Sequence, residues 1–319
     1  MFDLEKISII GAGTMGHSIA LSAAWAGKAV KVYGINSGDL KNADNGLRNK
    51  LKVMVENELF DEDEAQRIKG NIVFSTSLES VLKDATFIIE AIPEVLDLKK
   101  EMYKDIEELV EKSVIIASNT SGFRPSLLAE DMEWPERLIV THFWNPGHLM
   151  PLVEVVKGDN TSIPVVERAM KVIEEMNKKP ILLKKELPGF IGNRLQYALF
   201  REAQALLDSG VASKEDIDAA VTYSIGRRLP VTGPLMTADM GGLDVFSAIS
   251  NYLFSDLSND QQSGQTLTNL VNEEKLGDKT GEGFYKWEEE ESLRLHKERE
   301  QTLIHFLKND MKAREEGHE

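Results

Sequence analysis

Residues 6–16 read KISIIGAGTMG, and this stretch decides the fold. Its β-branched run predicts a buried strand, and Gly11, Gly13 and Gly16 complete a G-x-G-x-x-G turn that leads into a helix of mostly small residues at 18–26. In this setting the first glycine permits a tight turn, the second lets the backbone approach a pyrophosphate, and the third lets helix and strand pack closely. We therefore predict a dinucleotide-binding turn. Its expected cofactor contacts are Gly11, Gly13, Thr14, Met15 and Gly16.

The second predicted strand, at 29–33, ends without the acid that usually binds the adenosine ribose. Gly34 stands in that place, and Asn36 or Asp39 could reach the ribose instead. A pocket open to a 2′-phosphate, with Lys41 nearby, is the alternative. Because neither an arginine nor a lysine cluster follows directly, we predict NAD as the cofactor and leave NADP open.

Bulk properties exclude several classes of partner. The 319 residues favour two domains, and 37 basic against 53 acidic residues give a net charge of −16. Nucleic acid and membrane surfaces are therefore not expected partners, and an anionic substrate needs a local positive site. The absence of cysteine excludes disulfides and thiol chemistry and fits a cytoplasmic location. The N-terminus enters a strand directly, and no window approaches the roughly 18 apolar residues of a membrane span.

Strand patterns recur along the first half, with helical patterns between several of them. This alternation predicts an α/β fold with a Rossmann-type, doubly wound, mostly parallel sheet. Ligands bind beyond the carboxyl ends of such strands, so residues 91–94 (AIPE), 118–121 (SNTS) and His142 are expected to converge on the rim of the glycine turn. The predicted strands are 6–10, 29–33, 72–75, 85–90, 114–118, 137–142, 152–156 and 180–183.

Residues 140–156, VTHFWNPGHLMPLVEVV, predict a catalytic pair. His142 lies at the end of an apolar run, and Glu154 is flanked by apolar residues, where an ionised carboxylate is costly unless it is paired. If the Asn145-Pro146 turn folds the second strand back on the first, His142 is the partner. A carboxylate on one ring nitrogen fixes the tautomer and leaves the other nitrogen free to take a proton. No metal is expected, since nothing near His148 has the spacing of a ligand set.

Four motifs occur in a fixed order: the glycine turn, SNTS at 118–121, HFWNP at 142–146 with LVEVV at 152–156, and PGFIGNR at 188–194. With them the chain resembles the L-3-hydroxyacyl-CoA dehydrogenase family over residues 6–287. This group includes 3-hydroxybutyryl-CoA dehydrogenases and relatives that act on free acids, such as carnitine and gulonate dehydrogenases. The resemblance implies NAD(P)-dependent interconversion of a 3-hydroxy and a 3-oxo group.

The resemblance also implies roles for individual residues. His142 looks like the general base and Glu154 like its partner, and both belong to the catalytic set. Ser121 and Asn193 look like the polar groups around the reacting oxygen of the substrate, so the substrate is expected to contact Ser121, His142 and Asn193. Further cofactor contacts implied by the resemblance are Glu94, Lys99, Asn119, Ser121 and Asn145.

The sequence departs from the acyl-CoA enzymes of the family at two places, and both bear on which substrate is predicted. In the acyl-CoA enzymes a serine and a lysine on the helix after the second strand help to hold CoA, and here these positions fall on Lys50 and Asn57. Lys50 stays a candidate contact for the CoA phosphates. Pro151 matches the PLVEV of the free-acid relatives, whereas HFWNP is closer to the acyl-CoA enzymes. We predict a short-chain 3-hydroxyacyl-CoA, with a free 3-hydroxy acid as the alternative. A non-catalytic, crystallin-like relative is the third hypothesis, against which the His142–Glu154 pair argues.

The second half of the chain is predicted to be helical. We place an NAD-binding Rossmann domain at 1–186 and a helical domain for substrate binding and dimerisation at 187–319, since the resemblance implies a homodimer formed through this half. Single helices are predicted at 190–207 and 236–253, with a loop at 226–234. A heavily charged helical tail follows residue 287. Its apolar residues, which could dock on the body or on a second subunit, are Leu293, Leu303, Ile304 and Leu307.

Overall fold

The computed structural model describes residues 5–316, and its centre is one eight-stranded sheet. The strand order is β3-β2-β1-β4-β5-β6-β7-β8, which confirms the Rossmann-type α/β fold expected from the sequence. Each strand is short and rich in Val, Ile or Leu, as strands covered on both faces require. The strands are β1 (Ile7–Ile10), β2 (Val30–Tyr33), β3 (Ile72–Ser75), β4 (Phe87–Glu90), β5 (Ile115–Ser118), β6 (Leu138–Phe143), β7 (Leu152–Val156) and β8 (Lys179–Leu183).

The sheet changes direction at one strand pair. β3 through β6 are parallel, β6 and β7 are antiparallel, and β7 and β8 are again parallel. The reversal follows the short connection across the Asn145-Pro146 peptide bond, which is cis. Its register sets His142 directly opposite Glu154.

Helices cover both faces of the sheet and enclose two apolar cores. One core joins the sheet to α1, α2, α3 and α7, and the other joins it to α4, α5 and α6. The candidate residues lie at the carboxyl ends of the parallel strands β4, β5 and β6. The helices are α1 (Thr14–Trp25), α2 (Ser37–Glu56), α3 (Glu62–Gly70), α4 (Leu78–Leu82), α5 (Leu96–Leu109), α6 (Pro125–Leu128) and α7 (Ile163–Glu175).

The rest of the chain is helical. Its α-helices are accompanied by one π-helix, Val221–Ile225, and one short 3₁₀ segment, Asp278–Thr280. A second 3₁₀ segment, Pro135–Arg137, precedes β6 in the sheet half. The α-helices of this half are α8 (Gly192–Asp208), α9 (Lys214–Ala220), α10 (Gly226–Arg228), α11 (Pro234–Gly241), α12 (Leu243–Leu253), α13 (Gln265–Asn272) and α14 (Glu289–Glu315).

Contacts divide the chain into two compact units. The second unit is Asn193–Lys297, and the rest of the described chain, including α14 from Glu298 onward, forms the first. This differs from the sequence-based division at residue 186, which placed the whole tail with the helical half. The tail joins the sheet unit because Ile304 and Leu307 are buried in a cluster with Leu149. Docking on the body was one of the two fates expected for those residues, whereas Leu293 is 65% exposed.

The second unit exposes much of its apolar surface. None of α8, α9, α11, α12 and α13 has a buried residue. Within residues 5–316, no helix has the length and apolar character needed to cross a membrane.

Candidate active site

The centre of the candidate site is a buried histidine–carboxylate pair. His142 Nδ1 lies 2.8 Å from Glu154 Oε2, and the two side chains face each other across the antiparallel β6–β7 pair. His142 is 5% exposed and Glu154 is fully buried. Burial opposes ionisation of Glu154, but hydrogen bonds from His142, Gly192 and Ile191 outweigh it and hold the pKa of this carboxyl below its usual value.

The ionised Glu154 determines the tautomer of His142. A carboxylate only accepts hydrogen bonds, so Nδ1 carries the proton and donates a hydrogen bond to Glu154. Nε2 is then the unprotonated nitrogen, and it forms no hydrogen bond with any residue that the structure describes. Trp144 and Phe190 hold the ring in place, with centroids 5.4 Å and 5.6 Å from that of His142. The result is an oriented imidazole with one free basic nitrogen.

Glu154 also organises the start of α8, which the sequence did not reveal. Its Oε1 accepts the backbone N–H groups of Ile191 at 2.8 Å and Gly192 at 3.0 Å, and Trp144 Nε1 donates to Oε2 at 3.3 Å. A Cβ on Gly192 would lie 2.2 Å from the Trp144 ring, so only glycine fits there. One carboxylate therefore holds both the base and the residues just before Asn193.

Two loops at the rim are tied together next to this pair. Asn119 Oδ1 accepts the Phe143 N–H at 2.9 Å, which links the end of β5 to the histidine strand. Glu94 Oε1 accepts the Ser121 N–H at 3.0 Å and a hydrogen bond from the Thr120 hydroxyl. Sequence reasoning named Glu94, Asn119 and Ser121 as neighbours of the cofactor, and the structure brings all three to one edge of the sheet.

Lys99 lies in a buried network rather than at the surface. It is 1% exposed, and its Nζ donates to Glu90 at 2.6 Å and lies 3.3 Å from Glu94. Tyr103 and Ser118 donate to the same Glu90 carboxylate at 2.6 Å and 2.7 Å. Burial and the adjacent Glu90 raise the pKa of Tyr103 well above its usual value, so this hydroxyl stays a donor. Sequence reasoning missed Glu90; an acid closing the apolar run FIIE was its only signal.

The glycine turn has the space and the free donors that a pyrophosphate needs. Gly11 adopts φ +112°, and a Cβ on Gly16 would lie 1.8 Å from the Gly11 carbonyl oxygen. A Cβ on Gly13 would meet nothing within 4 Å, so the turn is open on that side. α1 has no side-chain cap, which leaves its first N–H groups, including those of Thr14 and Met15, available to phosphate. The turn therefore fits a dinucleotide.

At the ribose end of this site, side chains pack closely around Gly34, which stands in place of the usual acid. A Cβ on Gly34 would lie 2.5 Å from Leu40 Cδ2 and 3.1 Å from the Ala12 Cβ. Asn36, one of the two alternatives from the sequence, caps α2 by accepting the Asp39 N–H at 2.9 Å. Its amide nitrogen is left for a ribose hydroxyl.

Lys50 points to a histidine of α1. Its Nζ lies 3.0 Å from His17 Nε2, while His17 Nδ1 lies 3.4 Å from the Ala12 carbonyl oxygen. Because a carbonyl only accepts, Nδ1 carries the proton and Nε2 accepts from the ammonium. Burial and the charge of Lys50 lower the pKa of His17, which keeps this ring neutral.

Asn145 and Asn193 are located by their neighbours in the chain. Asn145 is exposed in the connection that follows β6, on the same stretch as His142. Asn193 is the first residue of the second unit and directly follows Gly192, whose N–H Glu154 accepts.

Comparison with known proteins agrees with this geometry. The family model for the 3-hydroxyacyl-CoA dehydrogenase NAD-binding domain matches residues 6–187. The family model for the 3-hydroxyacyl-CoA dehydrogenase C-terminal domain matches residues 189–287. The chain belongs to the 3-hydroxyacyl-CoA dehydrogenase family. It is accordingly an oxidoreductase, and its cofactor is NAD.

Relatives within the family differ in the substrates their names give. The chain is 32% identical to the 5-formyl-3-hydroxy-2-methylpyridine 4-carboxylate 5-dehydrogenase of Mesorhizobium japonicum, over 94% of this chain and 96% of the relative. It is 34% identical to a 3-hydroxybutyryl-CoA dehydrogenase of Clostridioides difficile, over 88% of this chain and 98% of the relative.

A solved structure extends the first of these similarities. It is a 5-formyl-3-hydroxy-2-methylpyridine 4-carboxylic acid 5-dehydrogenase described as an NAD+-dependent dismutase. The TM-score is 0.90 at 31% identity, and the match covers 97% of this chain and 99% of that one. Such coverage requires much of α14, which lies beyond the end of the family models at residue 287.

Proposed function

We propose that this 3-hydroxyacyl-CoA dehydrogenase family member oxidises the hydroxyl group of a free hydroxy acid with NAD, rather than that of an acyl-CoA. The observation that carries the proposal is that the Lys50 side chain is already hydrogen-bonded within the protein. Lys50 and Asn57 stand where the acyl-CoA enzymes have the serine and the lysine that help to hold CoA, and both side chains already have internal partners. Lys50 bonds to His17, and Asn57 Nδ2 donates to the Val53 carbonyl oxygen at 2.8 Å.

The tail helix supports the same substrate class, because it packs against the end of α2, the helix that carries Lys50. Val53 and Leu59, at the end of α2 and just after it, pack against the cluster of Leu149, Ile304 and Leu307. Burial lowers the pKa of Lys50, and the charge of a tail residue, Glu300, partly offsets that effect. A relative that matches 94% of this chain is named for a pyridine carboxylate, a free acid.

His142 supplies the proton transfer in the proposed reaction. Nε2 takes the hydroxyl proton of the substrate, and NAD, when bound, accepts the hydride from the same carbon. The imidazolium that forms keeps its Nδ1–H bond to Glu154, whose charge stabilises it. Since Glu154 stays ionised and buried, this stabilisation is present before the reaction begins and requires no reorganisation.

Two further groups are proposed to bind the reacting oxygen. Ser121 lies on the loop held by Glu94, and Asn193 follows the two N–H groups held by Glu154. As hydrogen-bond donors they would stabilise the negative charge that this oxygen carries in the reverse reduction. The backbone of Ser121 is held by the Glu94 carboxylate, which restricts where its hydroxyl can meet the substrate.

A substrate panel tests this proposal. With NADH and either acetoacetate, 5-formyl-3-hydroxy-2-methylpyridine 4-carboxylate or acetoacetyl-CoA, we expect kcat/KM for one of the free acids to exceed that for the thioester at least about tenfold. One missing charge-assisted phosphate contact is worth roughly 1.5–3 kcal/mol, which accounts for that ratio. The loss of the reduced-nicotinamide absorbance measures turnover. Preference for acetoacetyl-CoA would contradict the proposal and restore the acyl-CoA prediction.

We further propose a homodimer formed through the helical unit. Large apolar side chains with high exposure are concentrated there, and exposed apolar surface of this kind is typical of an interface. Sedimentation velocity at micromolar concentration is expected to give twice the chain mass of 35.7 kDa, and a species of single-chain mass would contradict the dimer. The most exposed of these side chains are Leu235 at 84%, Val231 at 82%, Met240 at 76%, Tyr223 at 71%, and Val211 and Phe254 at 70% each.

A further inference from the structure

The connection between β6 and β7 surrounds a buried lysine. Lys178 follows α7 and is 6% exposed. Its Nζ donates to the carbonyl oxygens of Gly147 at 2.7 Å, Met150 at 3.0 Å and His148 at 3.4 Å. Among the side chains that the structure describes, which exclude that of Glu315, no carboxylate forms an ion pair with it. An ammonium buried without an acid is costly, and the three carbonyl oxygens are what compensate it.

The same connection is bonded to α1, the helix that begins at the glycine turn. Ser22 Oγ donates to the Gly147 carbonyl oxygen at 3.1 Å, and the His148 N–H donates to Ser18 Oγ at 3.1 Å. Ser18 Oγ also lies 2.9 Å from His148 Nδ1. Because Ser18 already accepts the N–H, its hydroxyl hydrogen donates to that ring nitrogen. Burial and nearby positive charges lower the pKa of His148 to about 3, so the ring stays a neutral acceptor.

We propose that Lys178 is a positioning residue of the dehydrogenase, whose ammonium gathers the carbonyl oxygens of residues 147–150 and so fixes the His142–Glu154 strand pair against α1. This role rests on the proposed function of His142 as the base. The α1 N-terminus is the expected pyrophosphate site, and His142 lies on the strand that enters the connection. A shift of this connection therefore changes the distance between base and cofactor, and a misplacement of about 1 Å can cost about 100-fold in rate.

The tail helix covers this arrangement. Leu149 packs against Ile304 and Leu307, and Arg314 Nη1 donates to the Asn177 carbonyl oxygen at 2.8 Å. Burial lowers the pKa of Lys178 to about 7, and the charge of Arg314 contributes. Among the described side chains, the charge of Arg314 on α14 acts on Lys178, and Lys178 in turn acts on His148 of the connection.

The test compares Lys178→Met with Lys179→Met, a matched control in which the neighbouring exposed lysine is changed. For Lys178→Met we expect kcat to fall about 10- to 100-fold with the KM for NADH within about threefold of wild type, because the glycine turn is untouched. Lys179→Met is expected to keep wild-type kinetics. The panel member with the highest wild-type kcat/KM serves as substrate. An unchanged kcat in Lys178→Met would overturn the proposal.

A second readout does not depend on the identity of the base. The pKa of Lys178 is lower in the folded chain than in the unfolded chain, so the unfolded chain binds more protons between pH 7 and 10.5. The free energy of unfolding should therefore rise more steeply with pH across this window in the wild type and in Lys179→Met than in Lys178→Met. Equal slopes in the three proteins would contradict the burial of the Lys178 amine.

If Lys178→Met does not fold, Ser22→Ala provides the test, since it removes another donor to the same Gly147 carbonyl. We expect kcat to fall about three- to tenfold with an unchanged KM for NADH, which corresponds to one ordinary hydrogen bond. Wild-type kcat in this variant would overturn the proposal. Loss of kcat here, together with full activity in His142→Ala, would refute the assignment of the base while leaving the anchoring of the connection intact.

Discussion

Replacement of His142 by alanine is expected to lower kcat by about 10²- to 10⁴-fold, the range that one general base contributes. Nε2 is the free nitrogen of the pair, and the variant removes it together with the imidazolium that Glu154 stabilises. Binding of NAD should stay near wild type, because the glycine turn and α1 make no contact that depends on this ring. Turnover with the best panel substrate gives kcat, and NADH fluorescence titration gives the cofactor affinity.

His305→Ala is the matched control for this substitution. His305 is exposed on α14, and its replacement should leave both kcat and cofactor affinity unchanged. Wild-type kcat in His142→Ala would refute the base assignment. A parallel loss of NADH binding would show instead that the substitution has disturbed the nucleotide site.

Gly16→Ala is expected to weaken NAD binding by about 10- to 100-fold. Its Cβ would lie 1.8 Å from the Gly11 carbonyl oxygen, which is backbone and can move only if α1 separates from the end of β1. Overpacking of this kind costs typically about 1–3 kcal/mol, and here it falls on the turn that holds the pyrophosphate. Isothermal titration with NAD measures the loss.

Gly70→Ala serves as the control for added volume and helix propensity. Gly70 ends α3, and a Cβ there would meet nothing within 4 Å. This variant should bind NAD like the wild type. Equal affinity in Gly16→Ala and Gly70→Ala would mean that the close contact between α1 and the turn does not determine cofactor binding.

Local patterns were sufficient to predict the sheet and its nucleotide turn. All eight strands lie where β-branched runs indicated them, because strands buried on both faces must be continuously apolar. The helical half was harder. Residues 236–253 were predicted as one helix, but Gly242 adopts φ +92° and separates α11 from α12. The predicted loop at 226–234 was wrong in its first part, which forms α10.

The pairing of His142 with Glu154 was predictable from the cost of an unpaired acid in an apolar strand. The burial of Lys99 was not, because it depends on Glu90, Tyr103 and Ser118 from three separate elements. The partner of Lys50 likewise depends on the packing of α2 on α1, where Gly46 leaves room for the His17 ring. Contacts of this kind are set by tertiary structure and leave no periodic signal in the sequence.

The most direct test of the central claim is a single-turnover measurement of alcohol oxidation with isotopic labels. The substrate carries deuterium on the carbinol carbon, the solvent is H₂O or D₂O, and the reduced-nicotinamide absorbance follows the reaction. If His142 takes the hydroxyl proton as the hydride leaves, both isotopes should slow the wild-type reaction. His142→Ala should retain the effect of the substrate label and lose the part of the solvent effect that arises at the ring. An identical solvent effect in the wild type and in His142→Ala would contradict the account.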